Sequence, residues 1–390
     1  MNKRSYLLII LTWFLGNASV YFIAPALPGL VATFHCTPRM AQLSISIFLA
    51  GKALSMLLWG GLSERLGRRV IFISGILLFT ASNILAALSP NMPLLLIARL
   101  LQGFAVGATL LMGRVMINDT QNEQQAIRQF GFLFSLAGAF ICFLPLLGSG
   151  INAHGGWVMA FWVMAAYGFL LLLFCGGLVE TGRPSTQSLN VFENAARVFS
   201  NALFVRYLTI SALMMAGESA FNTSSSFILM TGAHYGFAAY GGIKTAMAIT
   251  HVLGTLACAL MTRFLDSTRL VGLGLYFFAI AAAMMWFCQL LILPLMFTFI
   301  LPMMLYYFGT GFIVASTTAA AVRPFPNHMA IALAFSLFCQ FTLSAAASLV
   351  SSLLAIDRVD HFMMLISVIS VLAVMVWFKG KTARILRATP

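Results

Sequence analysis

Gly60-Gly61-Leu62-Ser63-Glu64-Arg65-Leu66-Gly67-Arg68-Arg69 packs one acid, three arginines and three glycines into ten residues. Long apolar runs flank it on both sides, in a chain that is only 8% charged. An arginine at mid-depth in a bilayer costs at least about 2.5 kcal/mol. Charges at this density therefore mark a tight loop at a membrane face, between two spans.

The rest of the chain agrees. It has 390 residues, 61% of them hydrophobic, against roughly 45–50% apolar and about 25% charged in soluble domains. So few charges cannot cover a soluble surface. A membrane helix needs about 20 apolar residues. Twelve such runs are predicted, near 5–30, 42–62, 70–89, 93–117, 128–150, 157–179, 205–230, 240–262, 269–290, 293–320, 328–354 and 360–379. Lipid-exposed backbone must satisfy its own hydrogen bonds, which leaves helices or closed barrels. These runs are too long and too evenly apolar for barrel strands, so the chain reads as an all-α membrane protein. Residues 1–30 imitate a signal peptide, with Lys3 and Arg4 before an apolar run. The run is long, contains Pro25 and Pro28, and lacks a small-residue cleavage site. It reads as the first span.

The formal net charge of +13 does not point to nucleic acid, because the basic residues sort by side. With a cytoplasmic N-terminus, sixteen of the 22 Lys and Arg fall on the cytoplasmic side. Three (Arg39, Lys244, Arg358) fall at or near the outer face and three (Lys52, Arg99, Arg114) inside spans. This asymmetry is the positive-inside pattern and predicts N-in/C-in orientation, with the basic excess on anionic inner-leaflet lipid. Five of the six cysteines lie in spans without metal-ligand spacing and read as small buried hydrophobes.

The hydrophilic stretch 181–204 reads as a cytoplasmic linker. It divides a bundle of six spans (1–180) from a second (205–380), followed by a basic tail (381–390). The halves echo each other weakly. Arg263-Phe264-Leu265-Asp266-Ser267-Thr268-Arg269 follows the second span of the second half as the Glu64–Arg69 loop follows that of the first. Two pseudo-symmetric six-helix bundles are the resulting architecture.

Several motifs carry a family resemblance. The loop Gly60, Glu64, Arg65, Gly67, Arg68, Arg69 resembles the signature G-x-x-x-D-R-x-G-R-R of the major facilitator superfamily, with Glu64 for the usual Asp. Arg99-Leu100-Leu101-Gln102-Gly103 resembles its R-x-x-Q-G motif in span 4. Pro145-Leu146-Leu147-Gly148 resembles a degraded antiporter motif, with Ser149 in place of a glycine. Pro25-Ala26-Leu27-Pro28, Trp157 with Phe161-Trp162, Glu180-Thr181-Gly182-Arg183-Pro184 and Pro326-Asn327-His328-Met329-Ala330 match further family positions. The chain resembles the twelve-span drug:proton antiporter group, and within it the bicyclomycin/chloramphenicol-resistance branch. The resemblance implies that Asp119 pairs with the signature-loop arginines and that Pro145 helps seal the outward half. It also implies an Asp in span 1, where this chain has Asn17-Ala18-Ser19-Val20-Tyr21 and no acid.

The charges inside the spans narrow the chemistry. Of nine acidic residues, only Glu218 lies well within a span, about 13 residues and roughly 20 Å from the inner face. A lone intramembrane carboxyl is a functional-site candidate and here the best proton carrier. The polar run Asn222-Thr223-Ser224 beside it offers the competing role of helix packing. Lys52 lies about 18 Å above the signature loop, too deep to snorkel, and is expected to face the cavity or pair with Glu218. Arg99 has Gln102 one turn away, and Gly103 with Gly107 forms a small-residue packing face. Arg114 lies nearer the inner end of span 4. His251, in mid-span 8, can titrate near neutral pH.

These residues predict a proton-coupled exporter of small amphipathic compounds in the inner membrane, working by alternating access as a monomer. Glu218, Arg99 and His251 would serve proton coupling. Lys52, Tyr21, Gln102, Asn222 and Arg114 would line the substrate cavity, and the signature loop with Asp119 would latch the outward-open state. Cationic cavity residues motivate an alternative, a dedicated transporter of an anionic metabolite such as a siderophore or amino acid. No phosphate-binding loop, nucleophile–base set or metal cluster supports an enzyme, and no cofactor is expected.

Overall fold

Prolines, glycines and capping side chains set where the helices begin and end. A computed structural model of the chain describes residues 3–120, 140–181, 196, 198–322, 329–354 and 359–388. The helices are α1 (Lys3–Tyr21), α2 (Leu27–Phe34), α3 (Pro38–Leu66), α4 (Arg68–Ala87), α5 (Met92–Thr120), α6 (Leu144–Phe174), α7 (Ala202–Ser226), α8 (Phe237–Met261), α9 (Ser267–Leu290), α10 (Leu301–Val322), α11 (Met329–Leu353) and α12 (Val359–Ala388). No strand occurs among the described residues. Short π-helical turns, Phe227–Gly232 and Met296–Ile300, follow α7 and precede α10.

Each predicted run falls largely on helix where it is described, and several helices begin before their apolar segment. α3 begins four residues before the 42–62 run. Thr37 caps it by accepting from the Met40 amide at 3.4 Å, and Pro38 fills the first turn. Asn201 caps α7, accepting from the Leu203 and Phe204 amides at 3.0 Å each. α12 continues as helix through most of the expected basic tail. Of the expected 128–150 run only the part from residue 140 is described, and the expected 181–204 linker lies largely outside the described residues.

Pro25 and Pro28 break the first span. A 3-10 turn, Ala24–Ala26, separates α1 from α2. The chain turns at residues 142–143, and α6 starts at Leu144 with Pro145 in its first turn. α6 then folds at Gly156, whose φ of 64° and ψ of −167° are not helical. The limb after Gly156 covers most of the expected 157–179 run, and the limb before it covers the end of the expected 128–150 run.

Ten helical segments among the described residues are long and apolar enough to cross a membrane. Outward side chains on them are apolar, for example Leu58, Leu77, Leu173, Phe287 and Val371. α7 is not one of the ten. It carries Glu218 and the run Asn222–Ser226, and its hydroxyls point inward. Thr223 bonds Ser348 at 2.7 Å and Ser224 bonds Ser351 at 2.5 Å, both on α11. Gln340 of α11 donates to Ser211 at 2.9 Å. Interhelical hydroxyl bonds of this kind are worth about 0.6 kcal/mol each, and they keep polar atoms away from lipid.

The chain divides into two compact units, one of Met1–Asn190 with Tyr235–Gly242 and one of Val191–His234 with Ile243–Pro390. In the first, α3 and α5 pack closely because Gly103 has no side chain. A Cβ there would strike the Phe48 carbonyl and the Lys52 amide. The expected small-residue face of α5 is used in this way.

Candidate functional site

In the second unit, three helices bring their few polar side chains together. On α7, Glu218, Phe221, Asn222 and Ser225 stand at helical spacings of three, four and seven, one face of the helix. On α8, Lys244 and His251 are two turns apart on a shared face, about 10.5 Å along the axis. α10 contributes Tyr306, Tyr307 and Thr310.

Lys244 is buried, with 3% exposure. Its ammonium donates to Asn222 Oδ1 at 2.5 Å and to Ser225 Oγ at 3.5 Å. It also lies 4.1 Å over the Phe221 ring centroid, a favourable cation–π placement. Glu218 and Lys244 act on each other through their opposite charges. Thr310 Oγ1 meets His251 Nδ1 at 2.6 Å and donates to the Tyr307 carbonyl at 2.7 Å. The Tyr306 hydroxyl donates to the Met214 carbonyl at 3.3 Å and feels the Glu218 charge. Close approach of α8 and α10 makes this possible. A Cβ on Gly254 would strike the Phe308 carbonyl.

Lys244, counted near the outer face in the sequence, is not a solvent-facing charge. The side chain turns into the protein, and Asn222 holds a buried cation. The sequence signal was its seven-residue spacing from His251. Thr310 was missed as well, because a single hydroxyl in an apolar run gives no signal.

The first unit holds a different network. Arg99 is fully buried. Its Nε donates to the Ser44 carbonyl at 3.1 Å, and its Nη1 donates to Gln102 Oε1 at 2.6 Å. Gln102 passes a bond to Asn83 Oδ1 at 2.8 Å, and Asn83 donates to the Phe79 carbonyl at 2.8 Å. The guanidinium lies 4.5 Å from the Phe48 ring centroid. Arg99 and Gln102 thus tie α5 to α3 and α4. Lys52 Nζ stands beside Gly16 of α1 and feels the charge of Arg114. The Arg114 guanidinium lies 5.1 Å from the Trp13 ring centroid. Two cations therefore meet α1 from α3 and α5.

Tyr21 ends α1, just before the proline break. Gly148 packs directly on it, since a Cβ at Gly148 would stand 2.5 Å from the Tyr21 carbonyl. Asn152 donates to the Phe22 carbonyl at 2.7 Å, satisfying a backbone group that the break exposes. Pro145 and Gly148 thus seat α6 on the broken first span.

The side chains of Glu64 and Asp119 lie outside the described residues. The signature loop has another acid. Glu180 Oε1 accepts from the Arg68 amide at 2.8 Å, and Oε2 accepts from the Arg69 amide at 3.0 Å. A carboxylate at the first turn of α4 satisfies orphan amides and complements the helix dipole. Arg68 Nη1 donates to Ser63 Oγ at 2.5 Å. Gly67 has φ of 92°, and a Cβ there would meet Glu180 Oε2 at 2.6 Å.

Residues 8–349 match the Major Facilitator Superfamily, and the chain belongs to it. Similar proteins include the multidrug resistance protein MdtL of Escherichia coli, 27% identical over 206 residues, 52% of each chain. The alignment thus spans about half the length of that relative. MdtL of Shewanella oneidensis is 25% identical over 354 residues, covering 88% of this chain and 87% of the relative. Among solved structures, a D-xylose–proton symporter superposes with a TM-score of 0.78 at 16% identity, over 96% of this chain and 97% of the other. The family and the ten described helices long and apolar enough to cross a membrane make the chain a multi-pass membrane protein of this superfamily.

Proposed function

We propose that the chain is a proton-coupled exporter of small amphipathic compounds in a bacterial inner membrane. The observation that carries this reading is Glu218, an acid within α7 on the same helix face as Asn222 and Ser225, which hold the buried ammonium of Lys244. Such a group exchanges protons at low cost when a neighbouring charge or hydroxyl can answer it. Relatives named for multidrug resistance support export of several compounds over a dedicated anion carrier.

In this reading twelve spans form two six-helix bundles, 1–180 and 205–380, with both termini cytoplasmic and the two halves alternating access as a monomer. α7 supplies a span despite its polar face, and residues 128–150 and 157–179 supply the fifth and sixth. Glu218 is the proton site, with His251 as its partner. Lys52, Arg114, Tyr21 and Asn222 shape the cargo site, while Arg99 and Gln102 hold the helices that present it. The loop Gly60–Arg69 with Asp119 and Glu180 latches the outward-open state.

Drug-tolerance profiling of bacteria lacking their own efflux pumps tests the reading. Expression of the wild type is expected to raise tolerance to several unrelated lipophilic compounds, and Glu218→Gln to abolish the gain. No gain for any compound contradicts it.

A further inference from the structure

Two cations of the first unit meet neighbouring turns of one α1 face. Lys52 of α3 brings its ammonium against Gly16, where a Cβ would stand 3.3 Å from Nζ. Arg114 of α5 brings its guanidinium to 5.1 Å from the Trp13 ring centroid. Trp13 and Gly16 are three residues apart, so they share a face and lie about 4.5 Å apart along the axis. The glycine is what admits the ammonium, and Val106 of α5 packs against the same spot.

Arg114 is the unusual member. Arg99, on the same helix, donates to Gln102 and to the Ser44 carbonyl. A guanidinium has five N–H donors, yet Arg114 makes no hydrogen bond among the described residues, and its Nε is buried without an acceptor. The Trp13 ring answers part of the charge but offers no oxygen. A buried charged donor left unsatisfied is costly, so this arrangement calls for an acceptor. α1 holds no acid. Glu180, the acid of this unit whose side chain is described, is engaged at the Arg68 and Arg69 amides. Asp119 stands five residues beyond Arg114, about 140° around α5 from it.

We propose that Arg114 and Lys52 form an anion subsite, and that the exported compounds it selects are amphiphiles carrying a carboxylate. The inference rests on the reading of both residues as part of the cargo site. The planar guanidinium fork matches the two oxygens of a carboxylate, and the ammonium adds a point charge one turn away. Trp13, Lys52 and Arg114 are each partly exposed, which lets a ligand reach them, and the indole extends an apolar surface toward the body of the same compound. Lys52 lies about 18 Å above the signature loop, too deep for a lipid headgroup at the membrane face.

The test uses the full chain in phosphatidylcholine nanodiscs and three probes with one apolar body: phenylbutyrate, its amide and phenylbutyltrimethylammonium. Equilibrium binding is measured by calorimetry. The wild type is expected to bind phenylbutyrate at least about tenfold more tightly than either analogue. Arg114→Gln and Lys52→Gln are expected to remove that preference and leave amide binding unchanged. Arg114→Lys keeps the charge without the fork and should restore part of it; should a glutamine variant fail to fold, this variant and the wild-type preference still decide. Equal binding of the three probes by the wild type overturns the proposal, as does no binding of phenylbutyrate. Equal loss of acid and amide binding in the variants does so too, since packing alone would then be at stake. Displacement of phenylbutyrate by added phosphatidylglycerol would assign the cations to a lipid phosphate and likewise overturn it. A wild type that confers no drug tolerance overturns the export reading instead, and the binding preference still judges the subsite.

Discussion

Glu180 lies 112 residues from the amide it caps at Arg68. Removing its carboxylate strands the Arg68 and Arg69 amides at the start of α4. Glu180→Ala is expected to cost about 1 kcal/mol and to speed hydrogen exchange at residues 68–70. Unchanged exchange there would show that the cap does not order the loop. Gly67→Ala should cost more, since it adds left-handed strain to a collision with that carboxylate. A lower unfolding temperature than Glu180→Ala is the expected readout. Neither effect was legible in the sequence. Gly67 and Glu180 both stood in recognisable motifs, yet nothing in either motif says that one caps the other. Lys244 shows the same limit. Counted by depth it belonged to the outer face, and only the fold reveals Asn222, Ser225 and Phe221 around its ammonium.

At the scale of helices, small residues decide which side chains can meet. α8 and α10 approach at Gly254 closely enough to put His251 beside Thr310. Gly254→Val is expected to cost about 1–3 kcal/mol through overpacking and to separate those two groups. A thermal unfolding curve matching the wild type would contradict this. Helix positions were the most legible feature, because some 20 apolar residues in lipid leave the backbone little choice. Their ends were less so. Thr37 and Asn201 extend α3 and α7 past the apolar runs by capping. α7 is the instructive case. Its Ser and Thr run lowers its hydropathy, but those hydroxyls bond α11 rather than meeting lipid.

For the whole molecule, superfamily membership fixes the machine and leaves the cargo to be found. The motifs that revealed the family concern latching and packing. The residues proposed to carry protons lie outside them, which is why the sequence disclosed the fold more fully than the site. Glu218 was visible as the one acid deep in a span. Lys244 stood out only by its spacing from His251, and the bonds from its ammonium to Asn222 and Ser225 show only in the fold. The most direct measurement is cargo-driven proton movement in liposomes loaded with a pH-sensitive dye, comparing the wild type with Glu218→Gln. The account predicts proton flux whenever a transported compound is supplied, and its loss in the variant. Compound movement without proton flux, or flux that survives the substitution, would contradict it.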